Sequence, residues 1–265
     1  MNGTDMRITV LGARGSIPVS GSEYRLFGGA TSCYMVEAGG ETVFLDAGTG
    51  LIAAPSVFPR PPVILLSHLH LDHLLGLGMY PRLSMAGART RLMLSAASAR
   101  EAEERLAGLF APPFWPLRLT DYKGAPEIAP LSPAFQVGEL RIECMAGCHP
   151  GGCVVFRLRY GGKCLVYATD YEPEADSLAA LSDFCRGADL VLYDAQYTAE
   201  EYDGRRGFGH STAECGLTLL EKSGAKRLLL VHHSPGTRDE ELLERERALG
   251  REDVRYAREG EVFIL

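Results

Sequence analysis

Basic residues are in deficit in this sequence, with 27 lysines and arginines against 34 acidic residues and a formal charge of −7. That balance argues against a broad electrostatic footprint for long nucleic acids and stays compatible with a small anion held by metal ions. No apolar run approaches the roughly 20 residues of a membrane-spanning helix. The N-terminus carries Asp5 and Arg7 around a short apolar stretch, so neither a signal peptide nor a membrane contact is expected. No two cysteines have CxxC spacing. The seven cysteines (33, 144, 148, 153, 164, 185 and 215) are odd in number, and several fall in strand-like segments, which suits small buried hydrophobes in a reducing cytoplasm. Cys144, Cys148 and Cys153 surround His149, but without paired spacing they make a poor structural zinc motif. A GxSxG elbow is missing, so a serine nucleophile has no local support, and Gly12, Gly15 and Gly21 form neither a P-loop nor a dinucleotide fingerprint.

What the chain does have is the composition of an ordinary soluble globular protein, 46% hydrophobic and 23% charged over 265 residues, and one domain spanning 1–265 is the expectation. Arg7 to Leu11 reads as a strand, followed by a Gly- and Pro-rich loop from Gly12 to Ala30. Thr31 to Ala38 and Glu41 to Asp46 form a hairpin around Gly39-Gly40, and Cys153 to Tyr160 and Lys163 to Thr169 form another around Gly161-Gly162. Each hairpin ends in an aspartate, Asp46 or Asp170, and leads on to an apolar strand, Val63 to Ser67 or Leu190 to Tyr193, which suggests a weak internal duplication. Helical periodicity marks 97–109, 175–186, 211–223 and 238–249, with Ser211 or Thr212 as N-cap of the third. Hairpin-rich sheets with helices outside them fit this order better than a doubly wound parallel sheet, so the predicted class is α+β, an αββα sandwich of two mixed sheets.

The densest chemistry lies in Ser67-His68-Leu69-His70-Leu71-Asp72-His73, at the end of an apolar strand. Period-two projection sends His68 and His70 to the same face, and Asp72 and His73 in the following turn can address a second ion. Four such groups in six positions are costly to bury without a cation. His149 in a Cys-His-Pro-Gly-Gly turn, Asp170 at a strand end, and His232 and His233 after the strand Arg227 to Val231 offer the remaining ligands.

These motifs resemble the metallo-β-lactamase superfamily, whose HxHxDH signature is carried by His68, His70, Asp72 and His73. The opening GARGSIP loop, the segment Leu45 to Gly50, the CHPGG turn, Gly209-His210-Ser211-Thr212 and Leu230 to Pro235 are most similar to its phosphodiesterase branch, which includes RNase Z and small cyclic phosphodiesterases. The resemblance implies that His68, His70 and His149 hold one metal, that Asp72, His73 and His232 hold another, and that Asp170 bridges them. It also implies that Asp46 orients a histidine without binding metal, and that His232 rather than His233 is the last ligand. Two divalent ions, zinc or manganese with iron also admissible, would activate a bridging hydroxide and clamp a phosphoryl oxygen, and Asp72 counts as a catalytic residue as well as a ligand. His210 is the predicted catalytic group opposite the metals, at the start of a helix whose N-terminus favours anions.

The expected partner is a small phosphodiester, such as a cyclic nucleotide or a cyclic ribose phosphate, and a homodimer is admissible. Tyr167 stands where RNase Z typically has an acidic residue, and no long Gly/Pro-rich arm for gripping transfer RNA is present. Ala30 replaces an asparagine common in relatives that share the opening loop. A β-lactam or thioester hydrolase of the same fold is the second reading, and a non-catalytic metal or nucleotide sensor the third. Arg14 is a candidate to approach the phosphate, although a surface arginine is the commoner outcome. Phe110, Phe114 and Trp115 are expected either to lid the site or to plug the sandwich edge.

Overall fold

The computed structural model describes residues 4–265. The first sheet contains β1 (Met6–Gly12), β2 (Cys33–Ala38), β3 (Glu41–Leu45), β4 (Val63–Leu65), β5 (Arg91–Leu94) and β6 (Glu127–Pro130). The second contains β7 (Ala134–Val137), β8 (Leu140–Gly147), β9 (Cys153–Tyr160), β10 (Lys163–Ala168), β11 (Leu190–Asp194), β12 (Leu228–Val231) and β13 (Val254–Tyr256), while β14 (Val262–Ile264) returns to the edge of the first. The sheet orders are β14-β1-β2-β3-β4-β5-β6 and β13-β12-β11-β10-β9-β8-β7. In the first sheet the strands from β14 to β3 pair antiparallel and those from β3 to β6 parallel. The second repeats this pattern, antiparallel from β7 to β10 and parallel from β10 to β13. The duplication suggested by two Gly-Gly hairpins is thus a repeat of the whole pairing scheme.

Both sheets are mixed and flanked by helices, as predicted. Each central strand is buried on both faces, so it reads as a continuous apolar run. Val43 and Leu45 of β3 and Leu190 and Leu192 of β11 meet in the core between the sheets. Phe44 turns outward to α1 (Ala99–Ala107), which contributes Ala102 and Leu106. Val191 and Tyr193 turn to the opposite outer layer, where α2 (Ala175–Phe184), α4 (Ala213–Ser223) and α5 (Asp239–Leu249) supply Leu181, Leu219 and Leu242. Thr212 is the N-cap of α4 and accepts a bond from the Cys215 N–H, and Gly224 at φ 63° ends that helix. A short helix α3 (Ala199–Asp203) adds one turn that the periodicity does not mark. Among the described residues no helix is long and apolar enough to cross a membrane.

Candidate metal centre

The expected strand Val63 to Ser67 stops at Leu65, because the Ser67 N–H donates to the Asp46 carboxylate at 2.7 Å instead of to a neighbouring strand. His68 and His70 therefore leave from a loop, yet they still converge, with ring centroids 4.5 Å apart. A single 3-10 turn, Leu71–His73, then brings Asp72 and His73 to the same spot. His149 arrives from the β8–β9 turn. Its Nδ1–H donates to the Gly209 carbonyl at 2.9 Å, which leaves Nε2 facing His70 Nδ1 at 3.2 Å. Burial pushes the His149 imidazole down to about 4, so the ring is neutral and able to ligate at ordinary pH.

Asp170 sits between two sets of candidate ligand atoms. Its Oδ2 lies 3.4 Å from His68 Nε2 and 3.4 Å from His73 Nε2, and its Oδ1 lies 3.1 Å from His232 Nε2. His68, His70, His149 and Asp170 form one group, and Asp72, His73, Asp170 and His232 another, with the offered atoms of each within 4.8 Å of one another. Burial opposes charge on Asp170 and Asp72, but the adjacent imidazoles outweigh it and hold both carboxyls below the usual range. On His232 burial disfavours the proton, while Asp170 and Asp72 carry the ring up to about 9. Protons thus balance these carboxylates where a cation could do so.

The residues suit divalent metals. The Nε2 atoms of His68 and His73 are buried and make no hydrogen bond. An imidazole nitrogen orphaned against a carboxylate costs free energy that a shared cation recovers. The donors are nitrogens and oxygens without thiolate, a set that accepts zinc, manganese or iron. Asp46 stands behind the cluster. It accepts from His73 Nδ1 at 2.7 Å and from the Ser67 hydroxyl, which in turn contacts His68 Nδ1 at 3.0 Å.

The four non-glycine residues with positive φ among the described residues are Ser16, Asp46, Asp170 and His232, and all four lie in this cluster. Such conformations cost of order 1–3 kcal/mol each and persist where the surroundings over-determine them.

A model of the beta-lactamase superfamily domain matches residues 8–233. The chain belongs to the beta-lactamase superfamily. It is 27% identical over 274 residues to the Ribonuclease Z of Bradyrhizobium sp. strain ORS 278, across 81% of this chain and 87% of that protein. Its fold is similar to the metallo-beta-lactamase fold protein YhfI of Bacillus subtilis, with a TM-score of 0.75, 21% identity and coverage of 99% and 100% of the two chains. It is also similar to a diphosphatase from the PhnP family, with a TM-score of 0.68, 20% identity and 97% of both chains covered. The chain is accordingly a hydrolase of the metallo-β-lactamase fold.

Other residues of this superfamily member fall as follows. His232 faces the carboxylates, whereas His233 points away, its Nε2 donating to the Ala257 carbonyl at 2.8 Å. His210 lines the opening above the cluster, together with Ser16, His70, Asp72, Asp170 and His232. Its Nδ1 lies 2.8 Å from Asp194, at the end of β11. Asp194 is a functional candidate that the motif reading passes over. Its signal is its place in the duplication, the polar end of the apolar strand Leu190 to Tyr193. Glu172 is a second, accepting the Gly207 and Gly209 N–H groups at 2.7 and 2.8 Å and so fixing the loop that leads into His210.

One expectation is corrected, that for Arg14. Arg14 is neither surface nor phosphate-facing. It is 1% exposed, and its guanidinium donates to the Gly28, Ser234 and Thr237 carbonyls, tying the Gly-rich loop to the segment after β12. Of the two roles expected for Phe110, Phe114 and Trp115, the structure favours packing over a lid for Phe110 and Trp115, which join the outer apolar cluster of the first sheet, while Phe114 is exposed. Phe110 is buried against Trp115, and Trp115 packs on Gly78 and donates to Tyr122. The Cys144, Cys148 and Cys153 thiols are free, and Cys153 donates to the Asp170 carbonyl.

Proposed function

We propose that this chain is a phosphodiesterase that uses two divalent metal ions, zinc or manganese with iron admissible, to hydrolyse a small phosphodiester such as a cyclic nucleotide or cyclic ribose phosphate in the cytoplasm. In this reading 1–265 acts as one domain, His68, His70 and His149 hold one ion, Asp72, His73 and His232 the other, and Asp170 both. When bound, the ions supply an activated water and a clamp on a phosphoryl oxygen.

The chain's own groups do the rest. Asp194 holds the Nδ1 side of His210, so Nε2 is the atom left to face the opening and pass a proton to the departing ester oxygen. The Ser16 N–H donates to Asp72 at 2.7 Å and fixes that carboxylate beside the incoming oxygen. The carrying observation is the Asp194–His210 pair set beside the two clusters. An in-line displacement at phosphorus expels an alkoxide, and a donor aimed at that leaving oxygen supplies the proton it must gain. The relatives named Ribonuclease Z raise an RNA phosphodiester as an alternative. The charge of −7 and Tyr167 in place of an acidic residue support the smaller substrate.

The test is a panel on metal-loaded protein: bis-p-nitrophenyl phosphate, cyclic nucleotides, a structured RNA, nitrocefin and a glutathione thioester. Asp170→Ala should release the metals and abolish turnover, whereas His210→Ala should keep them and lose about 10²–10⁴-fold in rate. Cleavage of nitrocefin or the thioester with every phosphodiester spared would sink the reading, and metal loss in His210→Ala would show that its role is misassigned.

A further inference from the structure

The core between the sheets does not close at its metal end. Leu140 and Ile142 of β8 are buried in it, and Cys144 and Ala146 continue the same strand face toward the cluster, with Ala146 paired to Val154 of β9. Cys144, Ala146 and Val154, with Leu94 and Leu131, line a cavity of about 570 Å³ whose wall on the other side includes His68 and His70. That volume lies within the roughly 300–1,000 Å³ of sites for small organic ligands. Arg105 is the one arginine, lysine or carboxylate among the described residues that line it. Its guanidinium is already engaged by Glu101 at 2.7 Å and the Ser95 carbonyl at 2.8 Å. A second phosphate would therefore meet no free cation here, whereas an apolar ring would meet the margin of the core.

We infer that this cavity receives an uncharged aromatic ring carried by one ester arm of the substrate while the phosphorus sits at the histidine cluster. The ligand is then a single phosphodiester with a ring-bearing arm, a nucleobase or an aryl group, and not a strand of further phosphates. This deepens, and rests on, the reading of the cluster as a phosphoryl-binding centre, and it ranks a cyclic nucleotide above a cyclic ribose phosphate. Ala146 is the specificity-determining position, because it is exposed, lines the cavity and is not among the groups proposed to hold metal.

The experiment is calorimetric titration of the metal-loaded protein with phenylphosphonate and methylphosphonate, which share a phosphoryl head and differ only in the ring. Phenylphosphonate should bind roughly tenfold or more tightly. Ala146→Trp, which projects an indole into the place proposed for the ring, should erase that preference at unchanged metal content, and Ala146→Ser should keep it. In the unmutated protein at elevated pH, phenylphosphonate should slow alkylation of Cys144 by N-ethylmaleimide, read by peptide mass mapping, and methylphosphonate should not. Equal affinities, a preference that survives Ala146→Trp, or Cys144 labelling indifferent to phenylphosphonate would each overturn the inference. Absence of binding by both phosphonates would overturn the phosphoryl-binding reading along with it. A preserved ring preference in protein that cleaves no phosphodiester would refute the phosphodiesterase reading and leave the cavity assignment supported.

Discussion

Asp46→Asn removes a charge from behind the proposed metal centre while sparing the shape of the side chain. The carboxylate is fully buried. Its Oδ1 accepts the Ser67 N–H at 2.7 Å, and its Oδ2 accepts from the Ser67 hydroxyl at 2.7 Å, Tyr167 Oη at 2.6 Å and His73 Nδ1 at 2.7 Å. Asparagine has one acceptor oxygen, so placing it at the three-donor position turns the amide N–H₂ against the Ser67 N–H. An unpaired buried N–H costs about 1–3 kcal/mol, and three bonds to an anion become weaker neutral ones, for a loss of about 3–6 kcal/mol in all. The backbone adds little, because asparagine tolerates the left-handed conformation that Asp46 adopts at φ 61°. Since domains hold about 5–15 kcal/mol in total, the variant should still fold. Both His73 and, through Ser67, His68 would lose the group that orients them, and such losses weaken metal binding about 10–100-fold. Urea denaturation of metal-free protein reads the first effect, and competition against a chromophoric chelator the second. A stability loss with metal affinity unchanged would refute the argument, because Asp46 would then be a packing residue alone.

Asp194→Asn should leave metal content intact and lower kcat about 10²-fold with KM little changed, since it disturbs the group that positions His210; a rise in KM alone would contradict this. Burial, reinforced by Arg14, pushes His233 down to about 3, below the ordinary histidine value. Below the unfolded value the unfolded chain takes up a proton that the folded one refuses, so stability is present near neutrality and falls by about 1.4 kcal/mol per pH unit as acid is added. His233→Gln keeps a donor for the Ala257 carbonyl and removes the titration, so its metal-free form should lose that much less stability per unit between about pH 6 and pH 4. Parallel slopes in the two proteins would disprove it.

The fold was legible where local pattern and tertiary role coincide. The Gly-Gly hairpins and the runs at β11 and β12 sit where predicted, β4 begins where predicted and ends two residues early, and the four periodic helices agree to within two residues at every end. Short strands were not, since Val254–Tyr256 and Val262–Ile264 are three residues each and derive their conformation from a partner far away in sequence. The site divides similarly. Histidines and aspartates in HxHxDH announce themselves because few roles other than ligation explain their density. Arg14 misled because its guanidinium satisfies backbone carbonyls from two distant segments, a contact that spacing along the chain cannot show.

Asp194 was hidden for a different reason, and the duplication accounts for it. In each sheet the strand where antiparallel pairing gives way to parallel, β3 or β10, is followed closely by an aspartate at positive φ: Asp46 at 61° and Asp170 at 50°. A left-handed residue there turns the chain across the sheet edge and aims its side chain back between the sheets. From one half the carboxylate comes up behind the histidines, and from the other it lies among them. The next parallel strand of each half, β4 or β11, then delivers polar residues to the same edge, Ser67 and His68 on one side and Asp194 on the other. Asp194 thus reaches His210 by the same route that brings His68 to Asp170, which is why position in the repeat, rather than any motif around Asp194, identifies it.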